Sequence, residues 1–270
     1  MKPWNFHEGE QIAPGLTAVQ LLGGGLRYEA YLAWAGRLRT LVVVKVVRPD
    51  QVADQRALEG VRREAAMLRR LAHPLLLRSF GATLDGDRPH LVLEHVEGPR
   101  LSTLLRRYGM SLEQLLPLAL NLCAVLHYLE QEGVVHLDVK PRNIIMGAGP
   151  RLIDLSIARW TAELGDVRAP VGTDGYMAPE QRDRDRFGEI GPASDVWGLG
   201  ATLREAMHER VPAHLAAAVA ACLEPRPVDR PSAGELGDVL EPMVDALPAP
   251  RLGRFRPSPR RRTHHQEVHR

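Results

Sequence analysis

Hydrophobic positions along the chain follow a strand-like pattern up to about residue 98 and a helical one after it. Between Leu16 and Val47 the runs LTAVQLL, YEAYLAWA and TLVVVKVV are separated by Gly23, Gly24 and Gly25 and by a turn near Gly36, which predicts three antiparallel strands. A helix is expected from about Asp54 to Leu71, with Leu58, Val61, Ala65, Leu68 and Ala72 on one face and His73-Pro74 ending it. Two more strands, around Leu76 to Leu84 and His90 to Leu93, turn through Asp85, Gly86 and Asp87 and complete a five-stranded lobe. Past Gly98, Ser111 and Gln114 form a capping box ahead of a leucine-rich helix that reaches Glu132. A hairpin is expected from Ile144 to Met146 and Arg151 to Ile153. Helices then begin at Asp195, run from Pro212 to Glu224, and run from Ala233 to about Val244 behind a Ser232 and Glu235 capping box.

Charged residues that break these patterns carry the chemistry. Lys45 stands among Val42, Val43, Val44, Val46 and Val47, and a lysine on a half-buried strand needs a partner. Glu64 lies on the Val61, Ala65 and Leu68 side of the following helix, facing the sheet. Residues 136 to 157, HLDVKPRNIIMGAGPRLIDLSI, place Asp138, Lys140 and Asn143 in one loop, and the hairpin returns Asp154 beside them. Two carboxylates, a carboxamide and a cation suit phosphoryl transfer: hard oxygen ligands for a divalent metal, a base for the attacking hydroxyl, and positive charge against the phosphate. The glycines at 23 to 25 would let backbone amides approach a polyphosphate, although a hairpin turn would use the same residues. The plain alternatives are a solvated loop for the first group and an exposed ion pair for Glu64.

In this order and spacing the motifs resemble those of bacterial eukaryotic-like serine/threonine protein kinases, the Hanks type. The resemblance covers roughly residues 15 to 245. It implies an α+β, bilobal kinase-like fold, with a five-stranded antiparallel N-lobe carrying one helix over residues 15–95 and a mainly helical C-lobe over 96–245. It further implies ATP and Mg2+, with Mn2+ as the alternative ion. Asp138 would be the base, Lys140 the cation at the transferred phosphate, Asn143 and Asp154 the metal ligands, and Lys45 the phosphate contact held by Glu64. Leu22, Gly23, Gly24, Gly25, Ala30, Val43, Leu93, Glu94, Val96 and Ile145 would line the nucleotide site. Thr161, Thr173 and Glu180 would belong to the activation segment, Arg230 would pair with Glu180, and His136 and Asp195 would be structural. Protein substrates, the chain itself among them, are the implied partners.

The chain departs from the family pattern in several places. Tyr28 replaces the third glycine of the loop, and Ala30 replaces the usual valine over the adenine. Leu137 stands where an arginine normally precedes the catalytic aspartate, so a phosphate on the activation segment would lack its usual partner. Leu155 and Ser156 follow Asp154 in place of Phe-Gly, and the link from Met207 to Pro212 is shorter than usual. The expected activity is therefore protein phosphotransfer independent of activation-segment phosphorylation. A catalytically silent kinase fold acting as an ATP-binding regulatory module is the alternative, and a small-molecule phosphotransferase is disfavoured by the GTDGYMAPE segment.

Composition narrows the setting. With 44% hydrophobic and 25% charged residues over 270 positions, the chain suits one large domain or two lobes and excludes wholesale disorder. No apolar run of about 18 residues and no leader-like N-terminus is present, so a soluble cytoplasmic protein is expected. Cys123 and Cys222 read as buried thiols. Net charge is +2, yet the last twenty residues carry seven arginines against one glutamate, so the remainder is net acidic. Residues 1–14 read as an N-terminal extension. Residues 246–270 read as a disordered basic tail that could meet an acidic partner, a nucleic acid or a membrane surface.

Overall fold

Six strands form the curled N-lobe sheet in the computed structural model, which describes residues 2–167, 170–207 and 211–248. They are β1 (Gln11–Ala13), β2 (Leu16–Gly24), β3 (Tyr28–Ala35), β4 (Thr40–Val47), β5 (Ser79–Thr83) and β6 (His90–Glu94), in the antiparallel order β1-β2-β3-β4-β6-β5. The five expected strands are all present, and the N-terminal segment adds a sixth at the edge. Side-chain alternation splits the sheet into two faces. Tyr31, Ala33, Val42, Val44 and Val46 share one buried cluster, while Val47, Leu91 and Leu93 pack with α1 (Gln55–Arg70) on the other.

Within the N-terminal extension, Trp4 and Phe6 strap the first of these faces. Trp4 stacks on Phe6, Phe6 meets the Tyr31 ring edge to face, and the Arg88 guanidinium lies over both N-terminal rings. Trp4 Nε1 donates to Val47 O at 2.8 Å, and Trp4 N donates to the buried Glu29 carboxylate at 3.1 Å. Two aromatics at alternate positions of an otherwise polar stretch thus shield an outer sheet face that lacks a helix.

The C-lobe is built around α3 (Leu112–Gln131). A short α2 (Leu101–Leu105) precedes it, unanticipated from sequence. The Ser111 and Gln114 capping box opens α3, and Leu115, Leu116, Leu118, Leu122, Val125, Leu126 and Leu129 are all buried. By length and apolarity α3 could cross a membrane, but those residues form the C-lobe core. After α3 come β7 (Val134–Val135), the hairpin β8 (Ile144–Met146) and β9 (Pro150–Leu152), and β10 (Arg159–Trp160), which pairs with β7. Helices α4 (Pro179–Arg182), α5 (Arg184–Phe187), α6 (Pro192–Ala206), α7 (Ala213–Ala221) and α8 (Ala233–Asp245) complete the lobe. Helix α6 starts three residues before Asp195, because Gly191 N bonds to Ser194 Oγ at its start. Cys123 and Cys222 are buried free thiols, both pushed up to about 12 mainly by burial. The tail after residue 248 and residues 208–210 of the short α6 to α7 link lie outside the described residues.

Candidate active site

The loop after β7 is hung from α6. Asp195, buried in the first turn of that helix, accepts hydrogen bonds from His136 N and Leu137 N, each at 2.7 Å. Burial pushes its carboxyl up to about 7 against these two donors. His136 is fully buried, and burial lowers its pKa. Its Nε2 sits 3.2 Å from Ile153 O, which can only accept, and its Nδ1 accepts from Asp138 N at 3.3 Å. The neutral Nε2–H tautomer satisfies both bonds. Leu137 holds a positive φ of 66°, and its side chain packs in an apolar cluster with Val135, Leu164 and Ile190, flanked by Ile157, Val167 and Val171.

Asp138 is gripped on both oxygens. Oδ1 accepts from Thr173 Oγ1 at 2.6 Å, and Oδ2 accepts from Lys140 Nζ at 2.6 Å and Asn143 Nδ2 at 2.9 Å. Lys140 Nζ also donates to Thr173 Oγ1 at 2.5 Å. Gln181, buried just past Glu180, donates to Leu137 O and Val171 O and so fastens the activation segment to the same loop. Glu180 and Arg230 form a two-point ion pair at 2.7 and 2.8 Å with both side chains fully buried, and Ser194 Oγ adds a third bond to Glu180. Thr161, by contrast, is exposed, and its N–H bonds to Gly133 O.

Lys45 meets two carboxylates: Glu64 Oε2 and Asp154 Oδ1, each at 2.6 Å. Glu64 is buried, and its other oxygen accepts from Leu155 N at 3.3 Å. Burial would raise the Asp154 carboxyl, but Lys45 and the Ser156 hydroxyl, which donates to it at 2.7 Å, hold it well below the usual range. Asp154 itself takes the positive φ, at 72°, and Ser156 does not, so the missing glycine costs no backbone strain here. Leu155 is buried in the C-lobe core as the apolar anchor beneath Asp154.

The remaining expected nucleotide contacts surround this centre. Gly24 and Gly25 are exposed at the β2 to β3 turn, Leu22 is 41% exposed, and Ala30 faces Lys45 across the ladder. Val43 and Leu93 are neighbours on β4 and β6, followed by Glu94 and Val96. The chain then crosses to β8 at Gly98, whose φ of 142° and contact with Met146 O exclude a side chain; Met146 N donates to Pro99 O, and Ile145 bridges Arg100. Tyr28 turns onto α1, its hydroxyl donating to Ala57 O at 2.8 Å and its ring 4.7 Å from Lys45 Nζ. The structure therefore gathers Lys45, Glu64 and Asp154 in one cluster and Asp138, Lys140, Asn143 and Thr173 in a second, with Thr161 in neither.

The pair Asn143 and Asp154 fits a hard divalent cation. Asn143 spends its amide nitrogen on Asp138, at 3.0 Å to the carbonyl and 2.9 Å to Oδ2, and its oxygen takes no hydrogen bond among the described residues. Asp154 keeps 36% of its side chain exposed, its carboxylate ionised by Lys45. Sequence reading missed Gln181, Ser194 and the hydroxyl of Ser156, each an ordinary polar residue with no local pattern to mark it.

Comparison with known proteins identifies the family. The protein kinase domain family matches residues 16–221. The chain is 33% identical over 199 residues to serine/threonine-protein kinase PknB of Mycobacterium tuberculosis, covering 70% of this chain and 31% of that protein. It is 34% identical over 198 residues to the probable serine/threonine-protein kinase PkwA of Thermomonospora curvata, covering 72% and 26%. Against serine/threonine-protein kinase pkn2 of Myxococcus xanthus it is 30% identical over 201 residues, covering 71% and 24%. The chain thus spans less than a third of the length of these relatives. By the matched domain and these relatives, the chain belongs to the protein kinase family.

Proposed function

We propose that the chain is an ATP-dependent serine/threonine protein kinase whose active arrangement does not depend on a phosphate in the activation segment. One observation carries the second half of this reading: Leu137 occupies the place of the phosphate-binding arginine and meets Leu164 of the activation segment in a buried apolar cluster with Ile190. Apolar burial, which does not vary with phosphorylation, takes over the docking that a charge-assisted contact would supply.

In this mechanism Asp138, oriented by Asn143, Lys140 and Thr173, accepts the proton of the attacking hydroxyl. Lys140, beside that base, stabilises charge on the transferred group, and Lys45, fixed by Glu64, holds the phosphates. Mg2+ or Mn2+ on Asp154 and Asn143 would supply charge neutralisation at the phosphate oxygens. The remaining work is positioning, since phosphoryl transfer needs no covalent enzyme intermediate. Protein hydroxyls, the chain's own included, are the acceptors in this reading. The arginine-rich segment after residue 248 would add attraction for an acidic partner.

The test is phosphate incorporation from labelled ATP after phosphatase treatment, in wild type and in Thr161→Ala. Equal activity supports the reading; strong dependence on a phosphorylated Thr161 removes its second half. Tyr28, whose ring stands beside Lys45, favours a second reading as a nucleotide-binding regulatory module. ATP binding without transfer to any acceptor would select it.

A further inference from the structure

Tyr28 and Gly60 fit each other between β3 and α1. Tyr28 stands at the foot of the glycine turn, in the position where the family pattern has its third glycine, and its hydroxyl reaches Ala57 O in the first turns of α1. Gly60 lies one turn further along α1, buried on the face that carries Glu64. A methyl group added at Gly60 would overlap the Tyr28 hydroxyl oxygen, but would sit 3.4 Å from Tyr28 Cζ and 3.3 Å from Ser156 O. Glycine inside a helix is ordinarily less stable than alanine. Here the one position that gives up that stability is the one where the tyrosine enters. The same ring faces Lys45 Nζ at 4.7 Å, and Arg63, one turn beyond Gly60, donates to Ser156 O at 3.1 Å.

We propose that Tyr28 is a positioning residue that ties the glycine turn to α1, holding the helix against β4 so that Glu64 stays paired with Lys45. The inference rests on the phosphorylation-independent reading above and supplies its counterpart in the N-lobe: α1 is fastened by contacts that are present without a phosphate. Because the hydroxyl donates to a backbone carbonyl, the tie needs the phenol O–H and the gap at Gly60. Burial pushes the phenol up to about 12, so it remains a donor throughout the neutral range.

The experiment is a double-mutant cycle with Tyr28→Phe, Gly60→Ala and both together, read by hydrogen exchange of the α1 amides and by kcat and KM for ATP. Gly60→Ala alone should speed α1 exchange on the order of tenfold or more and lower kcat, because the methyl displaces the tyrosine. In the double variant the methyl takes the space left by the missing hydroxyl. Exchange and kcat should then both return to within about threefold of Tyr28→Phe alone, which itself falls short of wild type because the hydroxyl bond to Ala57 O is gone. Equal effects of Gly60→Ala in both backgrounds, or no effect in the presence of Tyr28, would overturn the tie. Should Gly60→Ala fail to fold, a double variant melting near Tyr28→Phe supports the tie and one that also fails to fold overturns it. Exchange is independent of turnover: a wild type without phosphotransfer strikes the kinase reading alone, and additive exchange strikes the tie alone.

Discussion

Thr173 donates its hydroxyl to Asp138 Oδ1 at 2.6 Å while accepting from Lys140 Nζ at 2.5 Å, so one activation-segment side chain bridges the base and the cation of the site. The bridge needs a hydroxyl and nothing more. Thr173→Ser should retain activity within about threefold, whereas Thr173→Ala should lose roughly ten- to a hundredfold in kcat. Steady-state kinetics with a generic protein acceptor checks this. Equal losses in both variants would mean that the methyl group, not the bridge, matters.

Glu180 and Arg230 lie 50 residues apart and are both fully buried, which makes removal of one partner expensive. Glu180→Ala leaves a buried guanidinium with the backbone carbonyls of Glu224, Ala193 and Pro225 and the Trp197 ring, and no carboxylate among the described residues. A loss of about 3–5 kcal/mol is expected, on the order of 10 °C in melting temperature for a domain of this size. Thermal unfolding followed by circular dichroism measures it.

Asp195 should show its role in stability and in activity together. Asp195→Ala strands two buried N–H groups, at His136 and Leu137, for about 2–4 kcal/mol. Asp195→Asn restores one acceptor and should fall between alanine and wild type in chemical denaturation. Wild-type stability in either variant would show that the loop holds itself.

The Lys45 and Asp154 pair predicts a specific acid response. Because Lys45 holds the folded Asp154 carboxyl below its unfolded value, its contribution to stability is complete above the unfolded value of about 4 and is lost as pH falls toward the depressed folded value. Glu64, raised first by burial and also by the Asp154 charge, runs the opposite way, and Asp154→Asn lightens that opposing contribution. The stability difference between wild type and Asp154→Asn should therefore widen as pH rises from about 3 to about 5 and then level off. Urea titrations at fixed pH values supply the curve, and a difference independent of pH would contradict the pairing.

Much of this site was legible because it breaks the pattern around it. Lys45 interrupts five valines, Glu64 sits on the apolar side of its helix, and Asp154 closes a hairpin whose turn glycines mark it. What stayed hidden depends on contacts between distant segments. Trp4 and Phe6 lie in a polar stretch, and only the bare outer face of the sheet explains them. Leu137 signals the loss of an arginine, but its packing with Leu164 and Ile190 joins three segments that no local periodicity connects. The Glu180 and Arg230 pair came from family resemblance alone. Tyr28 marks the loss of a loop glycine in the sequence, but its bond to Ala57 O directs it onto α1, a direction that the strand pattern does not encode.

The central claim is that Asp138, Asn143 and Asp154 perform phosphoryl transfer. Purified protein incubated with labelled ATP and Mg2+ or Mn2+, beside Asp138→Asn and Asp154→Ala, tests it most directly. Incorporation of phosphate by wild type, with losses on the order of a hundredfold or more in both variants, is the predicted result. Incorporation unchanged in Asp138→Asn, or no incorporation by wild type that binds ATP, would contradict it.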